Sequence, residues 1–248
     1  MFGKGVSFCV CAVLILVSPA GAAAVREGKT AVTRVTAQEW LERGADCYSR
    51  KDFRAAKSAF TAALEMNEGF LFLQNQAAAM HMRYGNQGMA NRDLERIHEL
   101  ETAISRACRF RAMASRELGE YQDSIRDLDR AVALAPGDAS NFLERGRTRE
   151  RAGDLRGAVD DYTAALKRDR GNADILCERA AAYLKLEFYP LALCDGADAV
   201  VAAPRQPAAY LYRGLAYLRI GKKAEGARDL EKARDLGSHE AGRLLNSL

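Results

Sequence analysis

A period of 34 residues runs through most of this 248-residue chain, and it constrains the fold more than any other feature. Stepping by 34 from Gly44 reaches Ala78, Ala112, Gly146, Ala180 and Gly214, all tiny. A second column, Ala56, Ala90, Ser124, Ala158, Ala192 and Gly226, is equally small. A third, Ala63, Ile97, Ala131, Ala165, Ala199 and Ala233, is alanine at every step but one. Three residues before the third column lie larger groups: Phe60, Leu94, Leu128, Tyr162 and Leu230, with Gly196 the exception.

Small residues recur where two helices must approach closely, and larger apolar ones fill the space between crossings. The period therefore reads as a helical hairpin repeated six times. Gly85, Gly119, Gly153 and Gly221 fall between the two helical stretches, where the turn needs permissive backbone. Thr36 and Glu39 form a T-x-x-E capping box before the first helix. Pro136 and Pro204 lie just beyond second helices, where proline stops a helix.

The segments GADCYSRKDFRAAKSAFTAALEMN, from Gly44, and GRTRERAGDLRGAVDDYTAALKRD, from Gly146, carry the pattern most clearly. In them the chain resembles the tetratricopeptide repeat family, whose 34-residue unit is a helix-turn-helix. Trp40, Phe142 and Tyr210 match that family's early bulky position, and Tyr183 and Tyr217 its aromatic near the end of the first helix. The resemblance implies an all-α, right-handed solenoid of six repeats: 37–70, 71–104, 105–138, 139–172, 173–206 and 207–240. A short capping helix, 241–248, would cover the last apolar face. Repeat two is the weakest copy, because Gln74, His81 and Gln87 stand where large apolar groups are usual.

The chain begins differently. Lys4 precedes the apolar run VSFCVCAVLILV, and a small-residue A-x-A site follows at Ala20-Gly21-Ala22. This is the layout of a secretory signal, 1–22, with the mature chain starting near Ala23 and a linker over 23–36. The competing reading is an uncleaved anchor over 5–25, which carries no charge and would leave the protein associated with a membrane. The body is expected to be exported, periplasmic or secreted.

Charge and chemistry exclude several classes. Thirty-seven Lys and Arg against 33 Asp and Glu leave +4, too small and too dispersed for a nucleic-acid binder. AVREGKT, 24–30, ends like a phosphate-binding loop but has Ala23 where the first glycine belongs, and reads as linker. No hydrolase, zinc-peptidase or lactamase motif occurs, and His81, His98 and His239 are scattered, so the chain reads as a non-enzyme without cofactor or metal. Cys47 and Cys108, in repeats one and three, should not be neighbours in a solenoid, and Cys177 and Cys194 should face opposite sides. No structural disulfide is therefore expected.

The family resemblance further implies a concave groove lined by the first helix of each repeat. It would place Arg83, Arg106, Arg109, Arg116, Arg147 and Arg151 there, with Glu117 and Glu150 among them. Arginine's planar fork suits carboxylates, which points to an acidic protein or peptide partner. The alternative is a solvated face whose arginines pair with neighbouring glutamates. Leu184, Leu211, Leu215 and Leu218 form an apolar stripe near the end of the groove, open either to a partner or to cover by the chain's own tail. Some family members clamp a terminal carboxylate with Lys and Asn, but Leu41 and Ala45 occupy the corresponding first-repeat positions. The chain thus reads as an exported scaffold for protein–protein interaction, an accessory of an envelope assembly, secretion or transport complex. The rival reading is a small-ligand-binding subunit of a transport system. Oligomeric state is not set by any of these features.

Overall fold

The computed structural model describes residues 35–246, and the expected signal, anchor and phosphate-loop-like segments lie outside them. Eleven helices make up the described body. They are α1 (Ala37–Ser49), α2 (Phe53–Arg83), α3 (Gln87–Glu117), α4 (Tyr121–Leu134), α5 (Ala139–Arg151) and α6 (Leu155–Arg168). Then follow α7 (Ala173–Lys185), α8 (Tyr189–Ala202), α9 (Pro207–Arg219), α10 (Lys223–Asp235) and α11 (His239–Leu245). None is long and apolar enough to cross a membrane.

The three columns of small residues lie in the interior. Ala56, Ala90, Ser124, Ala158 and Ala192 have no exposed surface, nor do Ala63, Ala131, Ala165, Ala199 and Ala233. A Cβ on Gly146 would sit 2.6 Å from the Tyr162 ring, so glycine there is what lets α5 lie against α6. Gly196, the gap in the bulky column, has its own cause: a Cβ would come within 2.9 Å of the Arg213 backbone, where α8 meets α9. The capping box at α1 is formed, Thr36 Oγ1 accepting from Glu39 N at 3.2 Å and Glu39 Oε2 accepting from Thr36 N at 2.7 Å.

Each hairpin turns on one left-handed residue. Gly85, Gly119, Gly153 and Gly221 have φ of 72, 81, 89 and 86°. In repeats one and five the same position holds Lys51 and Glu187, both at φ 62°, a conformation that costs a side-chain-bearing residue roughly 1–2 kcal/mol.

Repeat two departs from the expected layout. α2 and α3 each run 31 residues without a break, about 46 Å at 1.5 Å per residue, against about 20 Å for the other paired helices. The expected boundaries at 70/71 and 104/105 therefore fall inside helices. The cause is local: Pro136, Gly171 and Pro204 interrupt the later junctions, whereas Glu68-Gly69-Phe70 and Thr102-Ala103-Ile104 contain no proline and no left-handed residue. Helix propagation continues through both. The last helix also begins earlier than expected, at His239 instead of Ala241.

The consequence is a rearranged stack. Phe60 of α2 lies against Phe110 of α3, ring centroids 5.5 Å apart. Leu41, Phe60, Leu64, Ile104, Ala107 and Cys108 share one buried cluster, so repeat one packs directly on repeat three. Lys57 pairs with Glu120, and Glu68 with Arg130, across the same junction. Repeat two, the distal halves of α2 and α3, is extruded as a long antiparallel hairpin. Cys47 and Cys108 belong to one cluster for the same reason, contrary to the expectation that their repeats are not neighbours. Both are free thiols, and burial pushes the Cys108 thiol up to about 11.

Candidate functional site

Two ladders of charge run along repeats three to six. The first ties each first helix to its own second helix. Arg111 grips Asp127 at 2.6 and 2.7 Å, and Arg145 grips Asp161 at 2.7 and 3.1 Å. Arg179 holds Asp195 at 2.7 and 2.8 Å, and Arg213 holds Asp229 at 2.7 and 2.8 Å. These four arginines are 34 residues apart, as are the four aspartates, so the signal was present in the sequence beside the alanine columns. The pairs are bidentate, which fixes geometry as well as charge. In repeat one the equivalent positions hold Arg43 and Ala59, and Arg43 stacks on Trp40 at 5.0 Å. In repeat two the arginine is Ala77, and Asp93 instead takes Gln74 Nε2 and His81 Nδ1, each at 2.6 Å.

The second ladder ties successive first helices together and includes most of the expected groove arginines. Arg116 is buried and donates to Glu144 at 2.6 Å. Arg147 bridges Glu144 at 2.8 Å and Glu178 at 2.7 and 2.9 Å. Arg151 reaches back to Glu117 at 2.9 Å, and Lys185 reaches back to Glu150 at 2.6 Å. Tyr162 donates to the other oxygen of Glu150 at 2.8 Å, and its hydroxyl pKa is driven upward by burial and then by that carboxylate. Burial pushes Glu117 upward, but the hydrogen bond and charge of Arg151, with Arg116 behind, outweigh it and hold the carboxyl below its usual value. Arg109 pairs with Asp138 and donates to Asn141 at 3.0 Å. Burial raises Asp138, and the Arg109 and Ser140 hydrogen bonds more than reverse it.

Arg116, Arg147, Glu150, Arg151, Glu178 and Lys185 surround an open depression of about 450 Å³ across α3, α5 and α7. The pairing is mostly between repeats, not within one helix as local spacing suggests, with Arg147 to Glu144 and Arg116 to Glu117 the within-helix cases. Arg151 and Lys185 expose more than half of their side chains, so their ion pairs are exchangeable. Arg83 and Arg106 are exposed and have no ion pair among the described residues. Arg83 sits at the tip of the extruded hairpin, away from this depression.

The expected leucine stripe divides. Leu211 is buried with Leu230, Ala233 and Ala241, and Leu215 and Leu218 pack against that cluster together with Leu244 and Leu245 of α11. The chain's own last helix joins the cluster around Leu211 through Ala241, closing the apolar face at the end of the solenoid, while Leu218 lies against Gly226 of α10 and stays partly exposed like Leu215. Leu184 remains half-buried one repeat earlier.

This architecture, stacked helical hairpins presenting an open charged face, defines a helical-repeat solenoid. Residues 143–207 match the family model described as tetratricopeptide repeat. Hsp70-Hsp90 organizing protein 2 of Arabidopsis thaliana is 24% identical over 207 residues, covering 79% of this chain and 35% of that protein. Tetratricopeptide repeat protein 28 of Homo sapiens is 34% identical over 89 residues, 35% of this chain and 4% of that protein. The chain thus spans about a third or less of the curated relatives it matches. Among solved structures, YrrB, described as a TPR protein with an unusual peptide-binding site, aligns at TM-score 0.57 and 13% identity over 94% of this chain and all of that one. MamA aligns at TM-score 0.56 and 17% identity, covering 80% of this chain and 96% of that one. Residues 143–207 thus match the tetratricopeptide repeat, and the described body has the helical solenoid fold of these solved structures.

Proposed function

We propose that this protein captures an acidic segment of a partner protein on the first-helix face of repeats three to five. The observation that carries the reading is the pair Arg151 and Lys185: cations at the rim of the depression, exposed, and held only by ion pairs that a partner carboxylate can replace. Arg116 and Arg147 behind them are fixed by Glu144 and Glu178, which presents a preorganised guanidinium floor. A small-ligand subunit has less support, since the residues around the depression are all charged and offer no apolar wall to enclose a molecule.

The N-terminal pattern supports export, with the groove working in an envelope assembly, secretion or transport complex. That part of the reading rests on sequence alone. N-terminal sequencing of the exported protein is expected to start near Ala23; an intact Met1 on a soluble cytosolic protein overturns it.

Fluorescence anisotropy with an acidic peptide library tests the groove. Arg151→Ala/Lys185→Ala is expected to weaken the best peptide about tenfold, the loss shrinking as salt rises, with helicity unchanged. Affinity indifferent to both the substitutions and salt overturns the acidic-segment reading.

A further inference from the structure

The extruded hairpin leaves a face of α2 bare that the rest of the solenoid keeps covered. Leu73 and Met80 expose 52% and 53% of their surface. One repeat later the same positions hold Ala107 and Ala114, both fully buried, and two repeats later Asn141 and Thr148, also fully buried. The face is therefore one that this fold buries against a neighbouring helix, and in repeat five the same position holds Ile175, an apolar group as large as Leu73 and 1% exposed.

Phe70, Leu73, Ala77, Met80 and Tyr84 follow one another at spacings of three, four, three and four, the seam of a coiled coil. Phe70 and Tyr84 are 55% and 71% exposed. From Gly69 to Met82 the arm contains no Asp, Glu, Lys or Arg, although the opposing arm of the hairpin is densely charged. We propose that this stripe is a homodimer contact, closed by the same stripe of a second copy running antiparallel about a two-fold axis through Ala77.

Three features select a second copy over another occupant. The sizes are palindromic: large, large, small, large, large. A two-fold at Ala77 sets Leu73 against the second copy's Met80 and Phe70 against the second copy's Tyr84, and the small central residue allows the helices to approach closely. An isologous contact also brings each face against itself, so a charge near the axis meets its like, and this arm has none there. Ala77 stands in the column that holds Arg111, Arg145, Arg179 and Arg213 in repeats three to six, so the charge is missing at the one repeat that is extruded. Finally, the stripe exposes roughly 500 Å² per copy, or roughly 1,000 Å² in the pair, which meets the lower bound of a specific interface.

Sedimentation velocity across about 1–100 µM, with Ala77→Arg beside the wild type, tests this. The substitution brings two bulky guanidinium groups together at the axis, beside an Asp93 already engaged by Gln74 and His81. A reversible dimer is expected for the wild type, with its dissociation constant raised at least about tenfold in the variant and helicity unchanged. A wild type that stays monomeric at about 100 µM, or a dimer indifferent to Ala77→Arg, overturns the proposal. Ala77→Cys in a Cys194→Ser background provides an independent reading. A symmetric 77–77 disulfide found by peptide mass mapping supports the axis, and dimers oxidised without that linkage overturn it.

Discussion

Repeats three to six and repeat two have the same length and share two of the three small-residue columns, Ile97 breaking the third, yet they are built into the molecule in opposite ways. In repeats three, four and six the bulky residue of the second helix, Leu128, Tyr162 or Leu230, is fully buried between its own first helix and the next repeat. Leu94 holds that position in repeat two and is 46% exposed, because the following helix continues straight on instead of folding back over it. Burial in a solenoid is thus decided by whether the chain turns at the junction. The Arg–Asp clamp tells the same story: it is bidentate in four successive repeats and absent from the extruded one.

The sharpest way to break this comparison is to truncate the same column in both regions. Leu128→Ala should cost about 2–5 kcal/mol and Leu94→Ala less than about 1 kcal/mol by denaturant unfolding. Equal losses would mean that repeat two is packed like the others. Ala158→Leu, which forces a larger side chain into the α5–α6 crossing, should cost about 1–3 kcal/mol, whereas an unchanged midpoint would show that the crossing has spare room.

Acid should act on the regular region first. Glu117 and Asp138 both have depressed carboxyl pKa values in the folded protein, so their contribution is present above the unfolded values of 4.5 and 3.8 and is lost as pH falls through the folded ones. Thermal melts should therefore lose stability below about pH 4.5, and removing both arginine partners, Arg151 and Arg109, should flatten that loss. A profile unaffected by the arginine substitutions would deny these pairs any role in the acid response. The smallest effect is expected at a turn: Glu187→Gly should stabilise by about 0.5–1 kcal/mol, since glycine occupies this left-handed position in four other repeats. A loss of stability would show that the Glu187 side chain contributes more than its strain.

Much of the regular region was legible because the signals are local and periodic. Glycines at the turns, alanines at crossings and the capping box at Thr36 each act within one hairpin. The extrusion was harder to read, since it follows from missing interruptions at 68–70 and 102–104, while the columns stay in phase through repeat two. Gln74 and His81 marked that repeat as unusual, and the structure supplies their partner, Asp93. The charged face of repeats three to five was legible as a set of arginines but not as a network. Arg116 meets Glu144 and Arg147 meets Glu178 from neighbouring repeats, at separations of 28 and 31 residues that no single-helix pattern displays. The covering of Leu211 depended on where α11 lands, which the short tail sequence leaves open.

Direct stacking of repeat one on repeat three is the claim on which the rest depends, and a thiol crosslink measures it. Glu68 and Arg130 form an ion pair across that junction. With Glu68→Cys/Arg130→Cys in a Cys194→Ser background and a short bifunctional maleimide, an intramolecular 68–130 link should form rapidly and be visible by peptide mass mapping. If repeat two were inserted between them, its two helices would add roughly 16–20 Å at 8–10 Å per packed helix. Absence of the link in folded, fully labelled protein would contradict the extruded hairpin.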